Sequence, residues 1–294
     1  MTALTIAQAL SNAKQMLSTS SSDSIDLDAE LLLANAIGRN RTYLYTWPEA
    51  LLTETQSQQF FDDVTQRQAG TPVAHILQTR EFWGLPFKVT EATLIPRPDT
   101  EILVETALEK LTAGNPETDQ AWSVLDLGTG SGAIACALAS SGTNCHVTAV
   151  EFSPQALAVA EENAQRLDLD IRFCSGSWFE PLAGERFELI VSNPPYIRED
   201  DPHLSQGDVR FEPLTALTSG ESGLDDITQI LQQAGQHLMP NGWLMFEHGY
   251  DQADAVQALF RQHGFESIET RRDYGGQPRV TFGQWPKTAA NETC

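Results

Sequence analysis

Asn193-Pro194-Pro195-Tyr196 follows directly on the apolar run Phe187-Glu188-Leu189-Ile190-Val191-Ser192, and its residue types make a cluster of hydrogen-bond acceptors. Proline has no N–H to offer a ladder, so two prolines at a strand end leave the sheet as a stiff turn whose carbonyls face away from neighbouring strands. The Asn193 side chain adds another carbonyl, and the Tyr196 ring can cover a flat ligand. Such a cluster suits a planar substrate carrying an NH2 group. An isolated Pro-Pro-Tyr is more often a turn without chemistry. The reading therefore depends on the elements that would have to stand beside this one.

The first of these is Val124-Leu125-Asp126-Leu127-Gly128-Thr129-Gly130-Ser131-Gly132-Ala133-Ile134-Ala135, an apolar strand running through a glycine loop into an Ala-rich helix. Glycines allow close approach of a ligand and φ > 0, and a helix start has free N–H groups. Gly128, Gly130 and Ala133 also satisfy the looser dinucleotide fingerprint, so a nicotinamide or flavin site stays open at this point. Next, His146-Val147-Thr148-Ala149-Val150-Glu151 reads as a strand tipped by a carboxylate that could accept both ribose hydroxyls of an adenosine. A tight turn followed by a solvated Glu is the plainer alternative.

A glycine loop, an acid ending the second strand and Asn-Pro-Pro-Tyr ending the fourth resemble the class I S-adenosylmethionine-dependent methyltransferases that act on planar amino or amide nitrogens. Further segments sharpen the likeness: Glu81-Phe82-Trp83-Gly84, Leu94-Ile95-Pro96-Arg97-Pro98-Asp99-Thr100-Glu101, Asp201-Pro202-His203-Leu204, Gly207-Asp208-Val209-Arg210-Phe211-Glu212-Pro213 and Glu247-His248-Gly249. With these the chain resembles the HemK/PrmC family, protein-(glutamine-N5) methyltransferases of peptide chain release factors, from its helical start to about Trp285. Asn-Pro-Pro-Tyr alone is shared with DNA adenine methyltransferases.

The resemblance implies S-adenosylmethionine as cofactor, S-adenosylhomocysteine as product, and the glutamine of a release-factor Gly-Gly-Gln loop as substrate. It implies a cofactor site at Gly128, Thr129, Gly130, Ser131 and Gly132, with Glu151 on the ribose, Trp178 beside the adenine and Asn193 near the methyl group. It implies a substrate site at Asn193, Pro194, Pro195 and Tyr196. Glu151 stands where Asp is commoner, and Ser177 where relatives often carry an acid against the adenine amino group.

The chemistry explains the need for acceptors. A carboxamide nitrogen is a poor nucleophile because its lone pair is delocalised, the resonance behind a rotation barrier of roughly 18–20 kcal/mol. If Asn193 Oδ1 and the Pro194 carbonyl each accept one N–H, the nitrogen is aimed, and the bonds strengthen as it gains positive charge. No metal, nucleophile or strong base is required.

Composition bounds the alternatives. Lys plus Arg number 18 against 40 Asp plus Glu, a formal charge of −22, which suits a basic protein partner better than a phosphate backbone. This weighs against DNA adenine-N6 methylation and any direct nucleic-acid contact; the intact loop and turn weigh against a non-catalytic release-factor-binding adaptor. Glu199, Asp200, Asp201, Asp208 and Glu212 gather beside the proline turn, where they could steer such a partner. Cys136, Cys145, Cys174 and Cys294 form no CxxC pair, so neither a disulfide framework nor a zinc site is suggested. His203, His237, His248 and His263 show no ligand spacing. With no run of 18 apolar residues and no leader pattern, the expectation is a cytoplasmic protein without membrane contact; a monomer is expected as well.

The elements follow in order. Residues 3–17, 27–37 and 53–68 repeat apolar positions at helical steps, with the serine run 18–24 as a connection. Extended segments around Leu85-Pro86 and Thr90-Glu91 read as a hairpin. Strand and helix alternate after Trp122, which implies a mainly parallel sheet covered on both faces. Ser153 and Pro154 have the types of an N-cap and first helical residue. The predicted architecture is α/β: a helical substrate-recognition domain over 1–79, a β-hairpin linker over 80–97, a seven-stranded Rossmann-like class I methyltransferase domain over 98–286, and a tail over 287–294. Such a sheet binds its ligand beyond the carboxyl ends of its strands, where strand order switches.

Overall fold

The computed structural model describes residues 3–20, 22, 24–113 and 120–287. Cys294, the residues of the tail beyond Lys287, and Ser21 and Asp23 of the serine run lie outside them. Two compact units emerge: residues up to Thr79 together with Pro202–Phe211, and Arg80–Asp201 together with residues from Glu212 onward.

The first unit is helical: α1 Ile6–Leu17, α2 Ile25–Ile37, α3 Arg41–Thr46, α4 Glu54–Gln68 and α5 Val73–Leu77. α1 and α4 begin with reciprocal capping boxes, Thr5 with Gln8 and Thr53 with Gln56, each satisfying two backbone N–H groups at a helix start. Ile6, Leu17, Leu32, Leu33, Phe60 and Val64 are buried together. Arg67 lies among them almost wholly buried and bonds Asp28 and Asp208, each at 2.7 Å. A desolvated guanidinium needs such partners, so Asp208 ties Pro202–Phe211 into this unit. That corrects the expectation of an unbroken catalytic domain over 98–286. α3 and α5, of six and five residues, are too short for periodicity to reveal.

The second unit opens with a hairpin, β1 Thr79–Phe82 and β2 Leu85–Lys88. Trp83 and Gly84, at φ 55° and 71°, form its two-residue loop, the double left-handed turn that matches strand twist. The expected strand around Thr90-Glu91 is absent; Thr90 and Thr93 close a turn there instead. A loop centred on 83–84 pairs the residues immediately flanking it, which places the hairpin earlier than the sequence suggested.

There follow α6 Glu101–Thr112, β3 Trp122–Leu127, α7 Ala133–Ser140, β4 Cys145–Glu151, α8 Pro154–Arg166, β5 Ile171–Ser175, β6 Phe187–Ser192, α9 Asp225–His237, β7 Leu238–Glu247, α10 Ala253–Gln262, β8 Glu266–Arg272 and β9 Pro278–Gln284. Ser153 caps α8, its side chain accepting the Ala156 N–H. The seven-stranded sheet runs β5-β4-β3-β6-β7-β9-β8, with β9 antiparallel to both its neighbours and the other pairs parallel. Alternate strand residues supply two cores: Val124, Leu189 and Val191 pack with α6 and α7, and Leu125, Leu127 and Ile190 with α9 and α10.

Register decides what meets at the sheet edge. Leu127 pairs with Val150 and with Ser192, and Ser192 with Phe246. Glu151, Gly128, Asn193 and Glu247 are the next residues of β4, β3, β6 and β7, so they stand in a row across four adjacent strands about 4.8 Å apart. The strand order reverses between β3 and β6, in the middle of that row.

Candidate active site

A cavity of about 460 Å³ opens above this row. Its wall includes Gly128, Thr129, Gly130, Ser131, Glu151, Ser177, Trp178, Asn193 and Pro195, all singled out in the sequence, and also Arg97, Thr100, Phe152 and Asp226, to which the sequence assigned no role. Gly132, Pro194 and Tyr196 are not on the wall. Gly132 instead starts α7 at φ 82°, where an added Cβ would lie 3.2 Å from Ala160; it is a packing position between α7 and α8.

The glycine loop is held mostly by its own neighbourhood. Gly128 and Thr129 donate N–H bonds to the Val150 carbonyl on the next strand, and Gly132 to that of Thr129. Asp126, fully buried beneath the loop, accepts the Thr129 hydroxyl at 2.6 Å, and burial pushes its carboxyl up to about 7. Gly128, at φ 72°, lies beneath the Trp178 ring, which a Cβ would approach to 3.3 Å. Gly130, at φ 58°, would meet nothing within 4 Å, so a side chain there would occupy cavity space. Glu151 accepts the Gly130 N–H at 2.8 Å and the Ser153 N–H at 2.9 Å, one on each oxygen. A carboxylate oxygen has a further lone pair, so both remain able to accept hydroxyls. Close-approach backbone, a fixed acid and flanking aromatics line this side of the cavity.

The proline turn is held from afar. Asn193 Nδ2 donates to Thr100 Oγ1 at 3.4 Å. The Tyr196 hydroxyl donates to Glu247 Oε1 at 3.2 Å. Gln252 Nε2 donates to the Tyr196 carbonyl at 2.9 Å. Burial and the Glu247 charge raise the Tyr196 pKa, so its phenol stays protonated. No described residue donates to Asn193 Oδ1 or to the Pro194 carbonyl. Neither oxygen is engaged; Asn193 stands on the cavity wall, whereas Pro194 is buried and lies off it. Arg97 forms an ion pair with the fully buried Glu212 side chain, linking two stretches of the cavity wall.

Several residues stand apart from this chemistry. Cys136 is buried, with its thiol pushed up to about 12 by burial, and no group of His, Cys, Asp or Glu suited to a metal occurs among the described residues. His237 stacks on Phe179 at 4.4 Å. His248 is enclosed by Gly249 and Thr281, and burial lowers its pKa. Ser177 lines the cavity and donates its N–H to Glu180 at 3.2 Å. Thr100, Gln252 and Glu247 were missed as partners of the turn. Only Glu247 carried a signal: like Glu151, it is an acid crowning an apolar strand.

Residues 8–77 match the family model described as PrmC N-terminal domain, and 118–275 match one described as methyltransferase domain. The release factor glutamine methyltransferase of Vibrio cholerae is 50% identical over 284 residues, covering 96% of this chain and 97% of its own length. That of Pseudomonas aeruginosa is 53% identical over 265 residues, covering 90% and 94%. Among solved structures, a methyltransferase from Pyrococcus furiosus superposes with a TM-score of 0.52 at 18% identity, covering 77% of this chain and 98% of that one. This last likeness concerns the fold alone.

Proposed function

The chain belongs to the release factor glutamine methyltransferases, and from that premise we propose that its cavity transfers a methyl group from S-adenosylmethionine to the side-chain amide nitrogen of the glutamine in the release-factor Gly-Gly-Gln motif. One observation carries this reading. Gly128 and Asn193 leave paired strand residues side by side, and the two oxygens beyond Asn193 that could hold an amide NH2 accept no bond from any described residue.

The donor set fits the cofactor: Gly128 and Gly130 admit it closely, Glu151 is oriented to accept the ribose hydroxyls, and Trp178 flanks the loop. S-adenosylmethionine, when bound, supplies a methyl group on a positively charged sulfur. Everything else is done by side chains and backbone of the protein. Asn193 Oδ1 and the Pro194 carbonyl accept the two N–H groups of the substrate glutamine and fix one face of its nitrogen toward the glycine loop. As amide resonance is lost in the transition state the nitrogen becomes more positive and its N–H bonds to these oxygens strengthen, which favours the transition state over the ground state. Pro194 and Pro195 make the turn stiff, so little reorganisation is needed. Tyr196, anchored through its hydroxyl, braces the turn from behind.

The charge of −22 supports a basic protein surface as partner rather than a nucleic acid. No helix among the described residues is long and apolar enough to cross a membrane. The reading extends to a cytoplasmic enzyme that works as a monomer, with the helical unit engaging the release factor. Asn193→Ala tests the central claim. Methyl transfer to purified release factor falls by at least about 10²-fold, while calorimetric affinity for S-adenosylmethionine stays within a few-fold. Unchanged transfer would refute the acceptor role.

A further inference from the structure

Arg279, the second residue of the antiparallel strand β9, takes no part in the reaction outlined above, yet its side chain is only 13% exposed. A guanidinium so far out of water needs partners, and they show what it fixes. Nε and Nη2 donate to Asp273 Oδ2 at 3.2 and 3.1 Å. Nη2 also forms an ion pair with Asp99 Oδ2 at 3.3 Å, and Nη1 reaches the His248 carbonyl at 3.5 Å. Asp273 is itself anchored: Oδ1 accepts the Gln277 N–H at 2.9 Å, and its own N–H bonds the Gln277 carbonyl at 2.8 Å. His248 returns its N–H to the Arg279 carbonyl at 3.0 Å. The guanidinium is thus fixed to the sheet edge by the link between β8 and β9 and by the residue that follows β7. Asp99 lies in the single 3-10 turn Pro98–Thr100, which the Thr100 N–H closes on the Arg97 carbonyl. Arg97 and Thr100 both stand on the cavity wall, and Thr100 Oγ1 accepts from Asn193 Nδ2.

We propose that Arg279, through its ion pair with Asp99, is a positioning residue for methyl transfer: it holds the Pro98–Thr100 turn at the sheet edge and so places the hydroxyl against which Asn193 is aimed. The turn's one backbone bond defines its shape but not its distance from the sheet. Its far end is fixed because α6 enters the core through Ile102 and Leu103; Asp99 ties the near end. The Asp99 side chain is 47% exposed, so solvent screens the pair and its loss costs little stability. Its value is geometric, since a misplacement of about 1 Å can cost on the order of 10²-fold in rate. Lysine at this position would keep the charge, but a point donor on a flexible stem cannot meet Asp273 and Asp99 with one rigid plane.

This inference rests on the acceptor role of Asn193, and the test separates the two. Initial rates of methyl transfer to purified release factor, calorimetric affinity for S-adenosylmethionine and thermal unfolding are measured for Asp99→Ala, Asp99→Asn, Arg279→Lys, Thr100→Val, the Asp99→Ala/Thr100→Val double variant and Asn193→Ala. Asp99→Ala and Arg279→Lys each lower kcat by about 10-fold with KM and cofactor affinity nearly unchanged, a loss confined to the transition state. The unfolding midpoint of Asp99→Ala stays close to wild type, which a merely structural role would not combine with a slower kcat. Asp99→Asn, which keeps a carbonyl oxygen for Nη2, recovers most of the loss. The double variant is no slower than Thr100→Val alone, since the tether acts through that hydroxyl. Wild-type kcat in Asp99→Ala, or losses that multiply in the double variant, would overturn the tether while an inactive Asn193→Ala leaves the acceptor role standing. An active Asn193→Ala would remove the acceptor role itself, and the tether's purpose with it. If Arg279→Lys does not fold, the contrast between Asp99→Ala and Asp99→Asn decides: equal rates in those two variants sink the proposal.

Discussion

The glycine loop and the proline turn follow neighbouring strands of one sheet, yet they are held by opposite means. The loop is held from close by: Asp126 and Thr129 are three residues apart, its other bonds go mostly to the adjoining strand end at Val150 and Glu151, and the farthest, from Asn163 of α8 to the Ser131 carbonyl, spans 32 residues. The turn depends on Thr100, Glu247 and Gln252, which lie 93, 51 and 56 residues from their partners in it. A surface that must receive many-atom cofactor contacts is built from local backbone freedom. One that must aim a single nitrogen is triangulated from three distant elements, because angular precision comes from fixed points on rigid structure.

Three measurements press on this contrast, beginning with the largest effect. Burial pushes the Asp126 carboxyl from its ordinary 3.8 up to about 7, so the folded protein holds an extra proton between those values and its stability falls as pH rises through that window. Asp126→Asn cannot titrate, so wild-type stability relative to the variant, from denaturant unfolding, declines by roughly 4 kcal/mol from pH 4 to pH 8. A difference that stays flat would mean that the acid beneath the loop is not isolated from solvent. Next, Gln252→Ala removes the donor to the Tyr196 carbonyl and costs about 1–3 kcal/mol. Its loss falls on transfer rate rather than cofactor affinity; equal losses in both would show the two turns to be one mechanical unit. The smallest effect is that of Gly128→Ala, which forces alanine to φ 72° and presses on Trp178, at about 1–2 kcal/mol. Calorimetry then reports weaker S-adenosylmethionine binding with the proline turn undisturbed.

Legibility followed the same division. The strand, glycine loop, helix and acid were readable because each is written in consecutive residues with a fixed period: Val124 to Ala135, then Val147 to Glu151. Asn193 to Tyr196 was readable for the same reason. The hairpin lies a few residues earlier than the extended segments suggest, because Trp83-Gly84 is its loop and Gly after a large residue permits the left-handed pair observed. Thr100 shows nothing of its role in the sequence; in the structure it is the contact for Asn193.

The alternation of strand and helix after Trp122, the α/β sheet and the residues that crown its strands are legible in the chain alone, since hydrophobic period and missing N–H groups act over a few neighbouring positions. Folding in three dimensions is what sets Glu151, Gly128, Asn193 and Glu247 in one row, joins Pro202–Phe211 to the helical unit through Arg67, and leaves the Asn193 carbonyl oxygen unbonded. Strand register and hydrogen bonds between residues more than fifty positions apart leave no periodic trace in a chain. They come into being when the core closes.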